Sequence, residues 1–148
     1  MKKFVFTNER YMGIKSDEYD ALKRTLQNVD KNIELVLMEM RALEHRFDTE
    51  RVTYNKACTD GVRVEQLRTY QWFFPYLLEE QKKLAIKLQQ LEEERRRLRD
   101  QLVKLHNELK VLEKMKEEQY AAYLKEVAND EAKELDSFLS YTIYEGAV

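Results

Sequence analysis

The chain has few of the residues that interrupt helices. Its 148 residues include only three glycines and one proline, and domains built from many short elements need these two residues in their turns. This scarcity argues against a compact α/β domain. Charged residues supply 36% of the chain, and abundant charge and leucine with few helix breakers is typical of long helices and coiled coils.

Cysteine, excess charge of one sign and long apolar segments are scarce as well. The single cysteine, Cys58, cannot form an internal disulfide, which fits a reducing compartment. The 26 basic and 28 acidic residues nearly cancel, so charge indicates neither nucleic acid nor an anionic membrane as a partner. No segment approaches the roughly 18 apolar residues of a membrane span, and the start lacks the apolar core of a secretory signal.

The sequence does contain two long series of apolar residues spaced alternately three and four apart. The first extends over 19–57 and the second over 67–112, with polar exceptions at Glu50, Gln81 and Arg95. Such heptad spacing predicts two coiled-coil helices that meet along a seam, the line of contact formed by these apolar side chains.

Asp60 and Gly61 between the two series are the strongest turn signal in the chain, and a turn this short makes the helices antiparallel neighbours. The predicted fold is therefore all-α, an antiparallel coiled-coil hairpin whose second helix overhangs the first. It forms one domain, 1–148, with helix one at about 5–59, the turn at about 60–63, helix two at about 64–140 and a tail at 141–148.

A hairpin centred next to Gly61 also predicts which residues face each other. The numbers of facing residues then add to about 124, because the helices are antiparallel. The predicted pairs are Leu77–Phe47, Leu84–Met40, Leu88–Val36, Leu91–Ile33, Leu98–Leu26 and Leu102–Leu22. Nothing remains opposite helix two beyond about Gln119, and its end either meets another molecule or is a frayed tail. The guanidinium of Arg95, a seam position, can reach outward to Asp30.

Five aromatic residues surround Pro75, the only proline. The predicted register assigns three residues here to the seam: Tyr70, Phe74 and Leu77. It leaves three outside: Trp72, Phe73 and Tyr76. An exposed aromatic cluster usually marks an interface, and we favour this interpretation. Pro75 should kink or interrupt helix two. The alternative is that this kink lets the aromatics fold back as a cap near the turn.

We find no constellation of catalytic residues, no glycine-rich phosphate loop and no metal-ligand cluster. His45 and His106 lie far apart and are expected to be solvated. We therefore predict a protein that is not an enzyme and that uses no cofactor and no metal. Four arginines within 95–99 are either a patch for an acidic partner or nucleic acid, or a solvated face with local Glu–Arg pairs. The acidic triplet before them favours the solvated face.

Three segments, in order along the whole chain, resemble the flagellar FliJ family of bacterial type III export. The first is FVFTNERYMGIK, which matches at Phe4, Phe6, Arg10, Ile14 and Lys15. The second follows the turn and matches at Leu67, Tyr70, Gln71, Phe73 and Leu77. The third is the acidic segment EAKELD, Glu131 to Asp136.

The resemblance implies a coiled coil similar to the central stalk of rotary ATPases. Its free end would enter the hexameric flagellar export ATPase and promote assembly and activity of the ring. It would also bind the cytosolic domain of the export gate, a membrane protein, and escort export chaperones. The implied location is the cytoplasm, peripherally at the cell membrane. The protein would be a monomer on its own, without a nucleic-acid partner.

The expected contact residues follow from the resemblance together with the exposed aromatics. Those for the export gate are Phe73, Leu77, Trp72 and Tyr76. Those for the ATPase ring are Phe4, Phe6, Glu131, Lys133, Leu135 and Asp136. Leu77 carries two conflicting expectations, because the register buries it in the seam whereas a gate contact requires exposure. Two alternatives stay open: a generic coiled-coil scaffold such as a homodimer, and the stalk protein of a virulence-type injectisome.

Overall fold

In a computed structural model that describes residues 2–146, the chain forms two long helices packed against each other. Helix α1 is Glu9–Asp60 and helix α2 is Val64–Gly146, and the described residues contain no strand. The predicted all-α hairpin is confirmed. Its helices are long because heptad spacing continues through both series of apolar residues and few residues interrupt either helix.

The hairpin turn consists of residues 61–63. Gly61 has a φ of 96°, the left-handed conformation that glycine adopts without steric cost at the end of a helix. Arg63 directly precedes helix α2. Its carbonyl oxygen accepts the first hydrogen bonds of the helix, from the backbone N–H groups of Gln66 and Leu67. Gly61 therefore forms the turn, as the sequence predicts.

The helix ends differ from those expected from the sequence. Helix α1 begins at Glu9 rather than near residue 5, because residues 2–6 are extended and Asn8, a favoured N-cap residue, accepts the first helical hydrogen bond from Met12. Helix α2 continues past residue 140 to Gly146, since no glycine or proline follows Pro75 before that point. The last two residues of the expected tail lie outside the described residues.

Helix α2 passes through Pro75 without interruption, so of the two expected effects of this proline, a bend or an interruption, the interruption is wrong. Pro75 lacks the N–H that would bond to the carbonyl of Gln71. Both residues are exposed, so water can satisfy that carbonyl. The helix therefore tolerates the proline at a solvent-facing position.

The chain forms two compact units, and Ala21–Leu102 is the one that contains the turn. Its main apolar cluster consists of Val29, Ile33 and Leu98, against which five half-buried leucines pack: Leu22, Leu26, Leu37, Leu88 and Leu91. Contacts across the seam agree with the predicted register. Tyr54 meets Tyr70, whose numbers add to 124, and Asp30 meets Arg95, whose numbers add to 125. The predicted reach of Arg95 to Asp30 is confirmed at 3.7 Å between Nη1 and Oδ1.

The register can be tested by a designed disulfide between Val36 and Leu88. Val36 is buried and Leu88 packs in the seam, so Val36→Cys with Leu88→Cys, in a Cys58→Ser background, should oxidise almost completely. Disulfides require Cα atoms within about 7 Å, which facing seam positions provide. The matched control pairs Leu88→Cys with Leu35→Cys, an exposed position one residue away. Equal crosslinking of both pairs, measured by mass spectrometry, would contradict the register.

The second unit combines the residues up to Asp20 with those from Val103 onward. Phe6 and Leu112 are its buried side chains among the described residues. Two ion pairs join the two parts of the unit: Lys15 Nζ lies 3.4 Å from Glu108, and Lys116 Nζ lies 3.1 Å from Glu9. The partner numbers add to 123 and 125, so antiparallel pairing with the predicted register also holds within this unit.

Lys15 is the centre of a small charged cluster in this unit. Burial lowers the pKa of its ammonium, but the carboxylates of Glu108 and Glu18, together with Tyr11, raise the pKa by more, so the net shift is upward. A raised pKa means that folding favours the protonated lysine. This contribution to stability is therefore present at neutral pH and is lost only as the pH rises through the raised pKa.

Candidate functional site

The candidate sites are two exposed apolar surfaces, one in each unit. No three His, Cys, Asp or Glu side chains between residues 2 and 146 are placed to hold a metal ion. Neither of the two described helices carries an apolar stretch of the length needed to cross a membrane. The hydrogen bond with Cys58 raises the pKa of the Tyr54 hydroxyl, and both groups lie near the end of α1, close to the turn. Exposed apolar surfaces are typical of contacts with other proteins.

The aromatic stretch after the turn is divided between the seam and the surface. Phe74 lies in the seam, where its ring centroid is 5.5 Å from that of Phe47 and 5.7 Å from that of Tyr54. Tyr70 packs beside it, 5.2 Å from Tyr54. These edge-on contacts are the arrangement that aromatic quadrupoles favour. Half of the stretch is therefore core, as the register predicts.

The other half forms what we call the aromatic surface: Trp72, Phe73 and Tyr76. Trp72 is 79% exposed and Tyr76 is 48% exposed, and residues four apart on a helix lie on one face. They do not fold back as a cap near the turn. Phe73 is half-buried beside them, with its ring 6.5 Å from that of Tyr76. Three neighbouring aromatics at a surface form a patch suited to a protein partner.

Helix α1 contributes one charged residue to the aromatic surface. The guanidinium carbon of Arg46 lies 4.9 Å from the centroid of the Phe73 ring, a cation–π contact. Our sequence reasoning missed Arg46. A signal was present, because Arg46 and Phe73 each directly precede a seam residue, Phe47 and Phe74. In an antiparallel pair such positions lie on the same side of the seam.

Two of the expected contact residues have no free surface. Leu77 is 0% exposed. Its predicted burial in the seam is therefore confirmed, whereas the exposure expected for a gate contact is absent. Phe6, expected at the ATPase ring, is 3% exposed. Both side chains are enclosed because they point between packed segments. A partner could touch them only after those segments separated, and we therefore assign them a supporting role.

The extended segment before α1 lies along α2. The ring of Phe4 packs 5.1 Å from that of Tyr120 and 5.5 Å from that of Tyr123. The hydroxyl of Tyr123 donates a 2.6 Å hydrogen bond to the carbonyl oxygen of Lys2. Helix α2 therefore has a neighbour as far as Tyr123, about one turn beyond the expected limit near Gln119, and the predicted overhang begins after that. Sequence reasoning missed Tyr123 because its partner lies outside any helix.

The end of α2 is a helix without a neighbour among the described residues, since every residue from Ala128 to Gly146 is exposed. Four large apolar side chains share one face of it, which we call the terminal face: Leu135, Phe138, Leu139 and Ile143. Spacings of three and four residues align them. Glu131 and Asp136 border this face, whereas Lys133 lies on another side of the helix. Of the expected ring contacts, Leu135 is thus the one on the apolar face.

Comparison with known protein families gives a match over most of the chain. The model of the family described as flagellar FliJ protein matches residues 12–147, which is nearly the whole chain. No curated protein and no solved structure matches this chain. The matched range includes both the aromatic surface and the terminal face.

Proposed function

Because this chain belongs to the flagellar FliJ protein family, and is thus a component of the flagellar export apparatus, we propose the following function. The chain is a stalk-like, non-enzymatic coiled coil that promotes the hexameric export ATPase and links it to the cytosolic domain of the export gate. The observation that carries the proposal is the presence of two separate exposed apolar surfaces, one in each unit. A protein with two such surfaces can bind two partners at once.

The terminal face is the proposed contact with the ATPase ring. Phe138 is 65% exposed and Leu135 is 59% exposed, and a helix with an apolar face is stabilised when that face is covered. The neighbouring charges Glu131, Lys133 and Asp136 can form polar contacts around this apolar centre. Phe4, which holds the extended segment on α2, would support the contact from the side.

The aromatic surface is the proposed contact with the export gate. Trp72 and Tyr76 offer their exposed faces, and Phe73 connects them to the seam. Tryptophan and tyrosine are common hot-spot residues in protein interfaces. Leu77 would act beneath this surface by holding α2 on α1. Binding to the gate is also what would bring the protein to the cell membrane.

The family match favours the flagellar system over a virulence-type injectisome and over a generic scaffold. Escort of export chaperones is the remaining part of the proposal, and it is supported by the family alone. A monomer on its own is supported by the packing of α1 on α2 within one chain, which covers both heptad seams.

The proposal can be tested through Trp72, the only tryptophan in the chain. It is largely exposed, so the free protein should emit at the wavelength of a solvated indole. Titration with the purified cytosolic domain of the gate should shift the emission to the blue or quench it, because binding buries the ring. Titration with the export ATPase should leave the signal unchanged. A gate titration without any change, checked by calorimetry for the absence of binding, would remove the gate contact from the proposal.

The same titration measures what Phe73 contributes. Phe73→Ala should weaken gate binding by about 2 kcal/mol, roughly thirtyfold in affinity, if Phe73 is a hot spot of the interface. Phe138→Ala, which removes the same side chain from the terminal face, is the matched control and should leave gate affinity unchanged. Equal effects of the two substitutions would show that the gate does not bind the aromatic surface specifically.

A further inference from the structure

We propose that Arg46 is part of the surface that binds the export gate, and that its guanidinium pairs there with a carboxylate of the partner. This inference rests on the proposed function, which places the gate on the aromatic surface. It adds a residue from the other helix and a charge requirement on the partner. The segment bound would carry an acidic side chain next to an apolar one.

The first argument is geometric. Arg46 is an exposed residue of α1, and its guanidinium lies 4.9 Å from the ring centroid of Phe73 on α2. Phe73 in turn lies 6.5 Å from Tyr76. The aromatic surface therefore extends across both helices, and Arg46 forms its edge. A partner wide enough to cover Phe73 and Tyr76 would also meet the guanidinium.

The second argument concerns charge. Among the described residues, no carboxylate lies within ion-pair distance of Arg46. Glu80 of α2 instead pairs with Lys83 at 3.3 Å. A guanidinium that lies over a ring keeps its N–H donors at the edges, where they can hold a carboxylate with two parallel hydrogen bonds. Arg46 is thus oriented by Phe73 and still has donors to offer.

The surroundings select the chemistry of the partner. The rings of Trp72 and Tyr76 require an apolar contact, and the positive charge beside them favours an acidic group over a basic one. A nucleic-acid backbone would need a row of cations, whereas the carboxylates of Glu79 and Glu80 follow the aromatic residues on α2. We therefore commit to an acidic, partly apolar protein segment of the gate's cytosolic domain.

The test compares variants of Arg46 for affinity to the purified cytosolic domain of the gate, measured by calorimetry. Arg46→Gln should bind about tenfold more weakly, because it removes the charge and the paired donors. Arg46→Lys should recover part of this loss, since it keeps the charge without the planar fork. Arg41→Gln, the same change at another exposed arginine of α1, should bind like the wild type.

Salt dependence distinguishes pairing with a carboxylate from mere support of Phe73. Added salt should weaken the wild type more than Arg46→Gln, because salt screens an ion pair and leaves an apolar contact nearly unaffected. An equal salt dependence of the two proteins would overturn the carboxylate pairing. Helical content by circular dichroism should be the same for both proteins.

Failure of this inference and failure of the proposed function give different results. If Phe73→Ala weakens gate binding but Arg46→Gln does not, the gate contact stands and the role of Arg46 is overturned. If the wild type itself does not bind the gate domain, both are overturned.

Discussion

Removal of residues 130–148 is expected to abolish stimulation of the export ATPase and to leave affinity for the gate unchanged. The deletion removes the whole terminal face, which is the proposed contact with the ring. It leaves Tyr120 and Tyr123, which hold the extended segment, and the unit that carries the aromatic surface. ATP hydrolysis by the purified ATPase and calorimetric titration of the gate domain measure the two effects. Loss of both activities in a protein that is still helical would contradict separate binding surfaces.

Point substitutions within the terminal face refine this deletion. Leu135→Ser with Phe138→Ser makes the apolar face polar, and should raise the protein concentration needed for half-maximal stimulation by about tenfold or more. Lys133→Ser with Asp136→Ser removes two charges beside the apolar centre instead and is the control for charge. All four side chains are exposed, so neither variant should alter folding. A larger effect of the control would indicate that charge rather than apolar contact drives binding to the ring.

Leu77→Ala is expected to destabilise the protein by about 2–5 kcal/mol, the range measured when a buried leucine is shortened and a cavity remains. Leu77 is fully buried in the seam, whereas its neighbour Leu78 is 48% exposed. Leu78→Ala is therefore the matched control and should change the free energy of unfolding by less than about 0.5 kcal/mol. Urea denaturation followed by circular dichroism measures both.

The same variant decides between the two expectations for Leu77. If the side chain acts only by holding α2 on α1, Leu77→Ala should bind the gate nearly as well as the wild type under conditions where it is folded. Weaker binding without any loss of stability would mean that the partner reaches Leu77, and that the helices separate there. Stability and affinity must therefore be measured at the same temperature.

Much of the fold could be predicted because it depends on residues close in sequence. Heptad spacing sets which face of each helix is apolar, and a single glycine between two such helices sets the turn. Once the turn lies at Gly61, antiparallel geometry determines the facing pairs. The contact of Arg95 with Asp30 and the burial of Leu77 follow from the same numbering. The same numbering divided the aromatic stretch into seam and outer residues, and the exposure of Trp72 in the structure removed the alternative of a cap near the turn.

The sequence alone therefore determined the part of this protein that has a heptad repeat. This part comprises the two helices, their register and the outward position of Trp72. The tertiary structure decided the parts without a repeat. Phe4 packs on Tyr120 of α2, and Phe6 is buried. A segment without a repeat can follow a helix surface at many offsets, and only the assembled surface selects one. The contact of Arg46 with Phe73 likewise depends on the rotamers of two long side chains. Local periodicity does not constrain such contacts, which depend on residues distant in sequence.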